Sequence, residues 1–450
     1  MARRSMLWLL AVVLIACLSV SQAGTDTNSY KQARELALIL RTIQQEYYKE
    51  VPVEELFRSA FRGMTEALDP YSQYLDAETY KNFRSDTTGE FGGLGIEIAI
   101  HEGILTVVAP IAGTPAWDAG ILPGDRIMKI NGVSTERIRL FDAMKMLRGQ
   151  PGTEVTLTIR HAGSEVDKNV TIKRAIIQPP TVTASMVNEE AKIGHIRVHS
   201  FTARVLDEFD AAYKKLQDAG CRALILDLRD NPGGILQAAV GLANRFLSKG
   251  VIVSVRGRRE SKTFEADEAS TTCRLPLIVL INNGSASAAE IVAAAIKENR
   301  RGLIVGEPSF GKGSVQNVIP LNEDGSEALK LTTAQYHTPA GHMIDRQNGL
   351  VVTPDVEIQM TAEQLLALRL QAREDKMRAM GNGRPPDAAA PGKPPTEESK
   401  AKPEERPSAD EAGKTEPPFK RRARVRDLQL DGAIAILTAQ LQAASGVAAK

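Results

Sequence analysis

The sequence is poor in aromatics, in cysteine and in any surplus of charge. Phe, Trp and Tyr make up 5% of its 450 residues, too few for the stacking platforms that hold single-stranded nucleic acid. Lys and Arg number 56 against 55 Asp and Glu, for a net charge of +1, so no basic field draws in a polyanion. A nucleic-acid partner is not expected. The three cysteines, Cys17, Cys221 and Cys273, share no zinc-type spacing with histidine. His195 and His199 lie in an alternating segment, where four residues of strand would part them by about 13 Å. They read as solvated face residues, and no metal site is expected. Cys221 and Cys273 each precede an apolar strand, which leaves both a disulfide and two separate thiols open. Long hydrophobic runs are lacking as well, apart from Met6 to about Leu18, which is short for a bilayer span.

That run follows Arg3-Arg4 and precedes Ser21-Gln22-Ala23, so residues 1–23 read as a secretory signal peptide and the protein as periplasmic or otherwise exported. Leu14-Ile15-Ala16-Cys17 resembles a bacterial lipoprotein box; if it is used, Cys17 becomes a lipidated N-terminus and a membrane anchor. The length allows two or three domains. Residues 25–85 read as helical, with Asn28 or Ser29 capping a helix that carries Leu36, Ile39, Leu40, Ile43 and Tyr47 at a 3.6 period. A second helix runs from Val53 to about Leu68 and stops at Asp69-Pro70. This pair reads as a packing or dimerisation arm. Residues 89–173 change to short strands with glycine turns, and residues 175–357 alternate apolar strands with helices, as in a sheet covered on both faces. A helix over 361–380 leads into residues 381–420, which hold nine of the 23 prolines and cannot bury enough surface to fold alone. A last helix over 426–443 places Leu430, Ile434, Leu437 and Leu441 on one face, to dock on the core or on a partner chain.

Two stretches carry chemistry. Asn283-Gly284-Ser285-Ala286-Ser287-Ala288-Ala289-Glu290 runs from a buried strand through a turn into an Ala-rich helix. A serine hydroxyl there lies beside unpaired N–H groups and the positive end of the helix dipole. Phe310-Gly311-Lys312-Gly313-Ser314-Val315-Gln316 holds a lysine between glycines, so backbone can close around its stem. Serine with a lysine base is a known variant of the serine–histidine–aspartate arrangement. The structural alternative for Ser287 is a capping box with Glu290, and Ser285 is a rival nucleophile. A lysine that takes the serine proton must be neutral, so Lys312 is expected to be desolvated. A glutamine four residues on reaches it only if 312–316 form a turn.

Residues 89–173 resemble a PDZ domain. Gly93-Leu94-Gly95-Ile96 matches that family's carboxylate-binding loop, and Ala119-Gly120-Ile121-Leu122-Pro123-Gly124-Asp125 follows about 25 residues later. This segment joins Leu68-Asp69-Pro70-Tyr71-Ser72, Asp230-Asn231-Pro232-Gly233-Gly234, the two stretches above, Tyr336-His337-Thr338-Pro339-Ala340-Gly341 and Pro354-Asp355. Together, over residues 30–357, they resemble the carboxy-terminal processing (tail-specific) protease family. The resemblance implies an α/β fold: a ClpP/crotonase-like serine protease core with an inserted PDZ domain. An N-terminal helical segment and a disordered Pro-rich C-terminal segment ending in a helix complete the reading. It also implies an endopeptidase without a cofactor, acting on proteins with apolar C-termini. Ser287 would be the nucleophile, Lys312 the general base and Gln316 its orienter. The backbone amides of Gly233 and Ala288 would form the oxyanion hole, and Gly93, Leu94, Gly95 and Ile96 would bind the peptide terminus. Arg148 would couple peptide binding to the active site; otherwise it is a solvated arginine at a helix end. The terminal helices suggest a homo-oligomer, at least a dimer, and the sequence leaves open whether an adaptor protein delivers targets. A non-catalytic PDZ scaffold on the same fold and a crotonase-type acyl enzyme are the competing readings.

Overall fold

Glycine turns, short alternating strands and long apolar strands each leave their mark on the computed structural model, which describes residues 27–101, 103–161, 164–381 and 424–448. The signal peptide, Cys17 and nearly all of the Pro-rich 381–420 stretch lie outside the described residues. Two units divide the chain. The first comprises the residues up to Asp76 together with Val318–Leu331. Its helices are α1 (Thr27–Glu46) and α2 (Val53–Glu66). Asn28 and Ser29 fall inside the first turn of α1 and do not precede it. After α2 the Asp69 carboxylate accepts the N–H groups of Tyr71 and Ser72 and the Ser72 hydroxyl, at 2.8, 2.9 and 2.6 Å. This side-chain turn launches β1 (Gln73–Leu75), a strand too short for periodicity to reveal. It pairs antiparallel with Ala328–Lys330, burying Tyr74, Leu75 and Ala328.

The second unit begins with α3 (Ala77–Thr88), a third helix that falls mostly within the 25–85 stretch read as helical and buries none of its own residues. A glycine-turned module follows: β2 (Phe91–Gly93), β3 (Ile96–His101), β4 (Ile104–Pro110), α4 (Pro115–Asp118), β5 (Arg126–Ile130), β6 (Val133–Ser134), α5 (Leu140–Leu147), β7 (Glu154–Arg160) and β8 (Asp167–Lys173). Its main sheet runs β3-β4-β5-β7-β8, so β3 forms one edge. Leu105, Val107, Ile127, Leu157 and Ile159 fill its core. β9 (Ala175–Ile177) pairs antiparallel with β2, tying the exit of the module to its start.

The larger domain contains β10 (Val182–Asn188), β11 (Ile193–Val198), α6 (Val205–Asp218), β12 (Ala223–Asp227), α7 (Leu236–Asn244), β13 (Val251–Gly257), β14 (Ser261–Glu265), β15 (Leu277–Ile281), α8 (Ala288–Glu298), β16 (Leu303–Gly306) and β19 (Val356–Glu357), with the start of β17 (Ser314–Pro320) and the end of β18 (Ala328–His337), whose other residues belong to the first unit. The central sheet has the order β10-β11-β12-β15-β16-β19, with every neighbour parallel from β11 onward. Alternation along the strands gives each face its own core. Ile196, Leu224, Leu226, Val279 and Ile281 pack beneath α6, α7 and α8. Ile193, Ile225, Ile278, Leu280 and Val305 face the other way. Two further helices, α9 (Ala362–Gly381) and α10 (Leu428–Ala448), follow the domain. Ala433 and Leu437 of α10, both fully buried, cover that second face, so this helix docks on the core of its own chain. Cys221 and Cys273 are separate thiols. No helix among the described residues is long and apolar enough to cross a membrane.

Candidate active site

Parallel strands end together, and the C-terminal ends of β12 and β15 present the two loops that build the site. β15 leaves through Asn282–Ala286 to reach Ser287, the residue before α8, which sits at φ 53 and ψ −111. A serine at positive φ is strained by about 1–3 kcal/mol, so its surroundings must hold it there. They do so through Glu290, one turn into α8 and fully buried. The Glu290 Oε2 atom accepts the N–H of Ser287 at 2.8 Å and the N–H of Lys312 at 2.8 Å. Its Oε1 atom accepts the Ser309 hydroxyl and the Gly311 N–H, each at 2.6 Å. The Ser-x-x-Glu pattern is therefore more than a helix cap, since the glutamate joins the Ser287 turn to the Lys312 loop across 22 residues of sequence.

The rival serine is committed elsewhere. The Ser285 hydroxyl donates to the Leu228 carbonyl at 2.8 Å and accepts the Asn282 N–H at 3.0 Å, with no exposure at all. Ser287 is 6% exposed, and its side chain hydrogen-bonds the Tyr336 phenol. Burial pushes the Tyr336 hydroxyl up to about 12, against the pull of that hydrogen bond. Tyr336 reaches the site because its N–H donates to the Gly313 carbonyl at 2.7 Å. Gly313 itself admits no side chain, because a Cβ there would lie 1.8 Å from the Ile344 carbonyl oxygen. Lys312 is half-buried, and its backbone forms an isolated antiparallel β-bridge with that of Asp345.

The other loop follows β12. Asp230 occupies φ 57, and the turn through Pro232 brings Gly233 against Ser287. A Cβ on Gly233 would stand 2.9 Å from the Ala288 nitrogen and 2.9 Å from the Ser287 Cβ. The Gly233 and Ala288 backbones are thus neighbours around a space that only glycine leaves open. In this geometry the Gly233 N–H donates to the Asn231 Oδ1 at 2.8 Å, while the Asn231 Nδ2 donates to the Val198 carbonyl at 2.7 Å. Gln316 departs from expectation. Residues from Ser314 onward are extended as β17, not turned, and the Gln316 amide donates to the Ser314 and Thr332 hydroxyls at 2.8 and 3.2 Å. Pairing of β17 with β18 straightens the segment.

Beneath the Asp230 loop lies a charged cluster that spacing alone could not reveal. Burial alone would raise the fully buried Asp227 carboxyl. The Arg229 guanidinium outweighs it, with His195 and Arg197, and holds Asp227 well below the ordinary carboxylate range. Arg229 donates to Asp227 at 2.8 Å and to Asp427, at the start of α10, at 2.8 Å. His195 sits 3.1 Å from Asp227, so it is a half-buried partner of this cluster and not a solvated face residue. His199 is exposed, 3.2 Å from the Thr183 hydroxyl.

In the smaller module, Gly93 ends β2 and Ile96 opens β3. The Leu94 and Gly95 carbonyls accept the N–H groups of Ala116 and Ile111 at 2.9 and 2.7 Å. Trans peptide geometry then turns the N–H groups of Gly95 and Ile96 the other way. Arg148, just after α5, lies over the Phe91 ring at 4.4 Å. The buried Arg174 caps α5 by donating to the Leu147 and Met146 carbonyls at 3.0 and 2.8 Å.

Comparisons with known proteins agree with this anatomy. Residues 192–358 match Peptidase family S41, residues 106–161 match the PDZ domain and residues 16–79 match the Activating protease CtpB N-terminal domain. The chain is 41% identical over 369 residues to the carboxy-terminal-processing protease of Bartonella bacilliformis, covering 80% of this chain and 83% of that one. It is 36% identical over 321 residues to the carboxy-terminal processing protease CtpA of Bacillus subtilis, covering 71% and 67%. An S41 protease structure from Bacteroides fragilis superposes with a TM-score of 0.50 at 16% identity, over 77% of this chain and 95% of that one; this likeness concerns the fold.

Proposed function

Since the chain belongs to peptidase family S41 and is a serine-type carboxy-terminal processing protease carrying a PDZ domain, we propose that it works through a Ser287–Lys312 dyad. One observation carries this reading: a single oxygen of Glu290 accepts the backbone N–H of both residues, so the two stretches of sequence meet at one point.

In the proposed reaction the neutral Lys312 amine takes the Ser287 proton as Oγ attacks the scissile carbonyl. The amides of Gly233 and Ala288 receive the oxyanion, and the proton passes to the departing amine. Water then hydrolyses the acyl ester by the reverse proton path. A free lysine titrates near ~10.4, and a catalytic one is tuned toward ~7–8 by burial. Gly233 must first release its N–H from Asn231. Removing one oxyanion donor typically lowers turnover by about 10²–10³, so the geometry described is a resting one. Gln316 fits the same reading, engaged with Ser314 and Thr332 at rest and free to approach Lys312 only after β17 bends.

The PDZ domain would receive an apolar substrate C-terminus, the peptide adding to the open edge of β3 with its carboxylate at Gly93-Leu94-Gly95-Ile96. Arg148, stacked beside the β2–β9 ribbon, would link that event to the core. Export, lipidation at Cys17, a homo-oligomer and an adaptor belong to the same proposal and rest on the sequence. The test compares wild type with Ser287→Ala and Lys312→Ala on an unfolded model protein. Both variants should lose about 10⁴ or more in kcat; cleavage equal to wild type by Ser287→Ala would end the assignment.

A further inference from the structure

Helix α9 follows the protease domain, and family membership assigns it no role. Its Arg369 Nη2 donates to the Asp230 Oδ1 at 2.9 Å. Asp230 also binds the Asn282 amide through its N–H and its Oδ1, at 2.8 and 3.1 Å, and Arg197 lies 3.4 Å from its Oδ2. It therefore joins the loop that carries Gly233 to the loop that carries Ser287. Seven residues along α9, Lys376 pairs with Glu97. Glu97 is the second residue of β3, directly after the carboxylate loop. A separation of seven places both cations on one helix face, about 10 Å apart. The helix also packs on β4. It is clasped from behind by the Val425 N–H, which donates to the Gln371 Oε1 at 2.8 Å, and by Arg424, 3.6 Å from Asp375.

We propose that α9 is a latch between the PDZ groove and the oxyanion loop, with Arg369 acting on the reaction as a positioning residue through Asp230. This rests on the reading of the PDZ domain as the receiver of substrate C-termini. The two-ended bridge coexists with a Gly233 N–H held by Asn231, so it belongs to the resting geometry. Arg369 and Lys376 are 61% and 46% exposed. Exposed ion pairs are weak enough to break and reform, which suits a reversible catch and not a structural brace. A peptide strand arriving at β3 displaces Glu97 from Lys376, the helix loosens from Asp230, and the Gly233 turn is free to reorient. Because coupling between two sites is reciprocal, weakening either end should tighten peptide binding at the groove.

The experiment measures the affinity of full-length protein, carrying Ser287→Ala to prevent cleavage, for a fluorescent peptide with an apolar C-terminus and a free carboxylate. The same peptide ending in a carboxamide is the control. Arg369→Gln removes an ion pair with the protease domain, yet should tighten binding about two- to fivefold, the range over which a surface pair biases an equilibrium. Lys376→Glu should do likewise, and adding Glu97→Lys should restore the wild-type value. In the active background, Arg369→Gln should raise kcat on the carboxamide peptide by a similar factor with KM unchanged. Affinities unaltered by Arg369→Gln and Lys376→Glu overturn the latch while leaving the PDZ reading intact. No carboxylate-dependent binding by the parent protein overturns both.

Discussion

Glu290 accepts four hydrogen bonds, and no glutamine can do the same. Whichever way the amide of a Glu290→Gln variant turns, its NH₂ faces at least one buried N–H that then goes unpaired, at roughly 1–3 kcal/mol. If that loss falls on the placement of Ser287 and Lys312, kcat should drop about ten- to hundredfold. KM should change little, and steady-state kinetics beside a thermal melt will show whether activity falls further than stability. The two loops that carry Ser287 and Lys312 were legible in the sequence because glycines and an Ala-rich helix announce them locally. Glu290 was legible only as a helix cap, since its second pair of partners lies 19 and 21 residues away. Tyr336 was quoted within a motif but given no place beside Ser287, because only the pairing of its strand beside Gly313 brings it there.

Among the elements, the strand ends that carry the site depend on the Asp227–Arg229–Asp427 cluster. The folded Asp227 carboxyl lies below the ~3.9 of a free aspartate, so its ionised form is favoured by folding. That contribution is complete above about pH 5 and is lost as pH falls through the folded value. Asp227→Asn should therefore lower unfolding free energy at neutral pH by about 3 kcal/mol. The difference from wild type should shrink below pH ~4, as denaturant titrations at several pH values can establish. The parallel strands themselves were plain in the apolar runs Ala223–Asp227 and Leu277–Ile281. The short β1 was not, having no period to read, and α3 was covered only by the broad helical reading of 25–85. The turn that Gln316 would need at 312–316 is not formed, because pairing with β18 holds the segment from Ser314 extended.

For the whole molecule, the order of segments along the sequence was legible, and the docking of the last helix on the core was one of two outcomes it left open. Leu437 and Ala433 resolve it by covering the back of the central sheet. A chain ending at Gly381 should expose Ile193, Ile225, Ile278, Leu280 and Val305, bind a hydrophobic dye and melt at lower temperature; a synthetic peptide of residues 424–448 added in trans should reverse the dye signal. A dye signal equal to that of the full chain would show that α10 does not protect this face. The Arg229–Asp427 pair spans 198 positions, and at synthesis rates of about 5–20 residues per second those arrive roughly ten to forty seconds apart. Arg229 thus waits for its second carboxylate until the last helix has been translated, and the far face of the central sheet is closed only after all of its strands have been made.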